Sequence, residues 1–314
     1  MHRSLYVSLA LVVCSVGPAP AQTQSFGAAV SGFVFNPGAR TVRPIVGVRG
    51  AAQLGAAVLD QTDIAWVAPG GRAAIAGKNG RTIVLRDFAE TAVDGLIDSP
   101  DRVAWSSGGS YAVLYSSATG RLQRLRFTPD AALADPPSDL SQLGRVSALA
   151  IDVTGRQIAI GIADAGLYLV NDGQSPALIS STAQPAAAAF DDSSQRLYAL
   201  DLEKGRIIQF EPGAGEAQFA SLDQMDPASL AVSGNGQYLL VTDRAARAVQ
   251  VFDIASRTLA NTITLDFAPS RLERLSNSPV FLLNGDNPNE WLLVLDASQT
   301  PGVYFVPAPG EEGR

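Results

Sequence analysis

The chain has 314 residues, 46% of them hydrophobic and only 17% charged. That is well under the roughly 25% charged residues of an average globular chain, so a disordered, self-solvating polymer is excluded and there is apolar material for a large core. The net charge of −7 excludes nucleic acid as the expected partner, because that binding rests on clustered cations that neutralise phosphates.

The chain opens on an address. His2 and Arg3 precede an apolar run at 5–16, followed by Gly17-Pro18 and Ala19-Pro20-Ala21. This small-x-small ending predicts a signal peptide over 1–21, cut before Gln22. The run is too short to cross a bilayer core of about 30 Å as a permanent helix. Leu11-Val12-Val13-Cys14 also resembles a lipobox, with Val13 bulkier than the small residue that motif takes before its cysteine; lipid anchoring at Cys14 is the second reading. No later run reaches membrane length, so the expectation is an exported protein, periplasmic or extracellular, with no integral membrane segment after cleavage.

Cleavage changes the available chemistry. His2 and Cys14 are the only histidine and cysteine, and both leave with the leader, as does Arg3, taking the charge from −7 to −8. A chain starting at Gln22 has no disulfide, no His or Cys zinc or haem ligand and no Ser-His-Asp triad. No cofactor is expected.

After a polar lead-in at 22–30, residues 32–36 and 41–46 read as two strands joined by the turn Pro37-Gly38-Ala39-Arg40. They resemble the outer half of a blade, with Pro44 fitting an edge strand because it has no N–H for a ladder. Six fuller repeats follow, superposable on Gly70, Gly109, Gly155, Ser194, Gly236 and Ser278. An apolar strand precedes each of these turn residues, a second follows, and a third comes after the next turn. A period near 42 with short alternating strands and no 3.6-residue stripe excludes a helical solenoid. It also exceeds what a sandwich or a β-helix coil needs.

The clearest copy is 237–263, where Val241-Thr242-Asp243, Val249-Gln250-Val251-Phe252-Asp253 and Thr258-Leu259 end or form successive strands. This unit resembles the YVTN family of β-propeller repeats, with Asp for the family's Asn and Phe for its Ile. The resemblance implies an all-β propeller of four-stranded antiparallel blades; six full meanders and the N-terminal strand pair make six to seven blades, seven preferred, over 31–307, followed by a tail at 308–314. Small Ala65, Ala104, Ala150 and Ala189 sit where sheets converge on the axis, and Trp66 and Trp105 are expected in matching slots as inter-blade core.

Function is sought where the pattern breaks. The one longer interval carries an insertion around 134–139, read as a surface loop or a rim narrowing a binding face. The last inner strand places Arg271, Glu273 and Arg274 where other blades are apolar, either as a self-neutralising pair in a hydrated channel or as ligand contacts. The turns between second and third strands bring Lys78, Asp164, Asp201, Asp243 and Asp286 to one rim. Asp is favoured in turns for its local backbone bonds, and the oxygen-rich loop 284–290 lacks the spacing of an EF-hand. The expectation is an exported noncatalytic binding or scaffold module recognising an unidentified protein or glycan on the inter-blade rim. Its rival is a carboxylate-dependent hydrolase of glycosides or lactones, which needs two carboxylates facing each other across a pocket.

Overall fold

A computed structural model describes residues 29–172, 174–284, 292–298 and 300–307. The expected leader, most of the lead-in, the tail and Asp286 lie outside the described residues. Among those described there is no helix.

Four of the six fuller repeats turn back on themselves for one local reason. Gly71, Gly109, Gly155 and Gly236 all adopt φ between 67° and 73°, a left-handed turn conformation open to glycine without Cβ strain. The residue three positions earlier also fastens the turn. Ser106 and Ser233 accept the N–H of Tyr111 and Tyr238 on Oγ at 3.0 and 2.9 Å, and Asp152 accepts that of Gln157 at 2.8 Å. The second strands, such as Gln157–Ile162 and Tyr238–Asp243, are almost wholly buried, as expected of sheets covered on both faces. The outermost strand Thr258–Thr264 is largely exposed.

The strands form seven sheets in chain order. Seven buried apolar clusters fill the interfaces between successive sheets, one each, including that between the last sheet and the first. The protein is therefore a seven-bladed β-propeller. Blades 2 to 7 begin with the inner strands Ile64–Val67, Arg102–Trp105, Val146–Ile151, Pro185–Asp191, Pro227–Val232 and Glu273–Arg274.

Blade 1 differs from its sequence reading. Val30–Asn36 and Thr41–Val46 are the first two of three strands, with the short Gln53–Leu54 outside them. Val30–Asn36 packs on the inner strand of blade 2, as second strands do elsewhere in the ring, so blade 1 has no inner strand. The inner ends of blades 7 and 2 meet directly, with the Gly70 N–H facing the Leu275 carbonyl at 3.5 Å. Pro44 is consequently in a middle strand rather than at an edge. It is tolerated because Gln53–Leu54 pairs only with Val46 and Ile45, while Pro44 simply accepts the Gly55 N–H at 2.8 Å.

The repeat register is also corrected by one residue in blade 2. The Ala68 N–H bonds the Ala73 carbonyl as that of Ser106 bonds Tyr111, so Gly71, rather than Gly70, is the equivalent of Gly109. Trp66 and Trp105 are then in adjacent slots, and a one-residue step in a strand reverses the face. Trp66 leaves blade 2 forwards and Trp105 leaves blade 3 backwards, and both pack on the same cluster between those blades. Finally, the insertion at 134–139 is a break in an outer strand. Ala132–Ala134 and Ser138–Asp139 both pair with Arg121–Phe127, and Pro136-Pro137 lies between them. Buried Gln123 spans the break, donating to the Gly95 and Asp135 carbonyls at 2.7 and 2.9 Å.

Candidate functional site: an axial funnel

Six inner strands around a seven-bladed ring leave a channel along the axis. Its waist is made by Trp66, Val103, Leu149, Ala188 and Leu230, one residue from each of five inner strands, and by Leu272, which directly precedes the sixth; all line the cavities on both sides. On the side bearing the first hairpin turns, the channel widens to a cavity of about 240 Å3. On the other side the mouth is polar, with Asp101, Arg102, Ser147, Ser229 and Ser270. There the Asp101 carboxylate is engaged by the Ser117 N–H at 2.7 Å.

The first cavity is apolar with a charged edge. Val67, Trp105, Ile151, Phe190, Val232 and Arg274 occupy the same slot of the corrected repeat, each cross-strand from the start of the second strand. In this slot the side chain points at the preceding blade. Five blades put an apolar group there; blade 7 puts a guanidinium. Arg274 stacks on Phe281, directly opposite it in the sheet, with 4.9 Å from its guanidinium carbon to the ring centroid. Its Nη2 donates to the Val232 carbonyl at 3.0 Å. Burial pushes its pKa below the ordinary arginine range, partly offset by the charge of Asp192. Asp192 is exposed at the cavity edge.

The neighbouring charges behave differently. Glu273 faces the other side of the strand and accepts from Arg271 Nη1 at 2.9 Å, both side chains being about one-third exposed. This is the self-neutralising pair that the sequence allowed. Asp201 and Asp243 are buried and consumed by the turn that follows each and by the link that enters its blade. Asp201 accepts from the Thr182 hydroxyl, from Arg206 Nε at 2.9 Å and from the Lys204 N–H at 3.3 Å. Burial alone would raise its pKa; these hydrogen bonds outweigh that and hold the carboxyl below its usual range. Asp243 accepts the Asp226 and Ala246 N–H groups at 3.2 and 3.1 Å. Lys78 is half-buried opposite Arg81, and Asp164 is exposed in a turn at φ 64°. The structure thus spreads the rim residues over separate turns of blades 2, 4, 5 and 6, and brings only Glu273 and Arg274 to the funnel. Sequence reasoning missed Asp192, Phe190 and Phe281. The signal was present in the fixed offsets from the turn residues Ser194 and Ser278: Phe190 stands four before the one, as Arg274 does before the other.

The chain matches no protein-family model and no curated protein sequence. Among solved structures it is similar to a chain of a nidogen/laminin complex, at 14% identity and TM-score 0.50, over 74% of this chain and 92% of that one. It is also similar to a chain of hydrazine synthase from Kuenenia stuttgartiensis, at 13% identity and TM-score 0.57, over 92% of this chain and 99% of that one. At these identities the likeness is one of fold, shared here by a member of a protein–protein complex and by an enzyme.

Proposed function

We propose that this chain is an exported, noncatalytic binding propeller of YVTN-like repeat type that receives its ligand in the axial funnel rather than along the inter-blade rim. The observation that supports this reading is the contrast between the two places. The funnel offers a concave apolar wall with Trp105 and Phe190 and a few polar groups at its edge, Arg274, Asp192 and Glu273, the usual make-up of a small-ligand site. On the rim, the carboxylates of Asp201 and Asp243 are already held by turn hydrogen bonds. The funnel is lined by residues from six blades, so the ring as a whole shapes it. Titrating the protein with small aromatic compounds and following indole emission tests this. Quenching that is abolished by Phe190→Asp, with the fold intact by circular dichroism, supports the reading; quenching unaffected by that change refutes it.

The hydrolase reading keeps one specific observation in its favour: Asp192 and Glu273 both line the funnel. Glu273 already accepts from Arg271, which leaves it poorly placed to donate a proton to a leaving group. A glycoside and lactone panel is expected to show no turnover. Turnover lost in both Asp192→Asn and Glu273→Gln would replace the binding reading.

A further inference from the structure

Resting on the axial-funnel reading, we infer that the ligand is an aromatic monocarboxylate whose carboxylate docks on Arg274 and whose ring lies against Trp105 and Phe190. Arginine stays protonated in proteins, so a guanidinium at an apolar repeat position remains charged and requires an anion or acceptors around it. Arg274 has one hydrogen bond, to the Val232 carbonyl, and one ring contact, with Phe281. Among the described residues, no carboxylate lies within ion-pair distance of it. Asp192 acts on it only through the longer-range field. The guanidinium borders the cavity, and among the described residues no protein acceptor other than the Val232 carbonyl lies at hydrogen-bond distance from it. Two parallel N–H donors match a carboxylate in the bidentate geometry that arginine favours.

The walls supply the other half of the specificity. About 150 Å3 of apolar cavity already suffices for a benzene-sized guest, and here about 240 Å3 is present. Trp105 is tilted against Phe127 at 5.1 Å between centroids, which braces the indole that borders the funnel. In blades 4 and 6 the same slot holds the smaller Ile151 and Val232, leaving room on either side of Phe190. Asp192 stands at the edge, where its charge opposes a second anionic group and so favours a single carboxylate over a dianion.

The test uses two probes with one body, 4-phenylbutyrate and 4-phenylbutan-1-ol, titrated by calorimetry and indole quenching into the full exported chain. The carboxylate is expected to bind at least about tenfold more tightly than the alcohol, a difference of about 1.4 kcal/mol. In Arg274→Gln that preference should fall to within about twofold while alcohol binding persists. Asp192→Asn, which leaves the guanidinium in place, should tighten carboxylate binding about threefold and leave the alcohol unchanged. Equal binding of both probes by the unaltered protein overturns the carboxylate inference and leaves the funnel reading standing. Binding of neither overturns both. A preference that survives Arg274→Gln and is unmoved in Asp192→Asn places the anion elsewhere and also overturns the inference.

Discussion

Blades 5 and 6 and the seam between blades 7, 1 and 2 use the same repeat and arrive at different solutions. Between blades 5 and 6, full inner strands meet second strands across a cluster that includes Tyr198, Leu200, Leu230, Leu239, Phe219 and Phe252. The ring edges Tyr198–Phe219 and Phe219–Phe252 pack at 5.2 and 6.3 Å, close to perpendicular, an arrangement favoured by aromatic quadrupoles. At the seam, the inner strand of blade 7 has two residues, blade 1 has none, and the outer strand of blade 1 has two. Val34, Ile45 and Ala52 still meet Leu275, Leu282 and Val294 there. Both interfaces are apolar; only one has its hydrogen-bonded frame complete. The lesson is that the repeat tolerates a missing strand when neighbouring turns close over the gap, and that the charges unusual for an inner strand gather beside that gap.

The largest effect that sharpens this contrast comes from cavity formation. Leu239→Ala, between complete blades, should cost roughly 2 to 5 kcal/mol in a denaturant melt. Leu282→Ala at the seam should cost less, because the three-stranded blade 1 can settle into the space. Equal losses would break the comparison. Native-state hydrogen exchange gives a second view: amides of Val30–Asn36 and Glu273–Arg274 should exchange before those of Tyr238–Asp243, the seam opening as its own unit.

Next in size is Asp201, which ties two blade 5 turns together from a buried position. Asp201→Asn leaves Arg206 with Glu216 alone at 2.7 Å and should cost about 3 kcal/mol. Its folded carboxyl titrates below its usual value, and the unfolded value is about 3.9. Its contribution is therefore complete above about pH 4 and fades as pH falls through the folded value. The variant's stability should depend less on pH in that acid range; an unchanged acid limb would show that Asp201 is not a stabilising anion.

Gly71→Ala is expected to cost about 2 kcal/mol, from a left-handed backbone and a methyl group driven into the Phe33 ring of blade 1. Gly155→Ala meets Tyr111 in the equivalent slot and should match it, but only Gly71→Ala should speed amide exchange in blade 1. At the small end, Asp226→Asn removes a two-pronged ion pair to Arg244 with both side chains about half exposed. Solvent screening should hold that loss below about 1 kcal/mol, readable as a thermal shift that shrinks in added salt.

Much of the architecture was legible because it is written locally. Glycine at the turn, apolar alternation on either side and a period near 42 recur whatever the neighbours do, and they specify meanders that must stack. The departure of the last inner strand was legible as well, since Arg271, Glu273 and Arg274 stood where other copies are apolar; which of the three borders the funnel was not. Blade 2 was misaligned because Gly70 and Gly71 are consecutive, and the hydrogen bond from Ala68 to Ala73 is what tells them apart. Asp201 and Asp243 looked like rim ligands because a turn aspartate reads identically whether its oxygens face water or backbone N–H groups.

By itself the sequence determined the kind of unit, its number of full copies and the charged character of 271–274, all of them properties of residues close together in the chain. The tertiary structure alone decided that the first strand pair stands as a blade without an inner strand, that Trp66 and Trp105 converge from two blades, and that Arg274 borders an apolar funnel away from any carboxylate within ion-pair reach among the described residues. Those facts depend on how the ring closes, and closure joins residues more than two hundred positions apart, such as Gly70 and Leu275, through packing that no local pattern records.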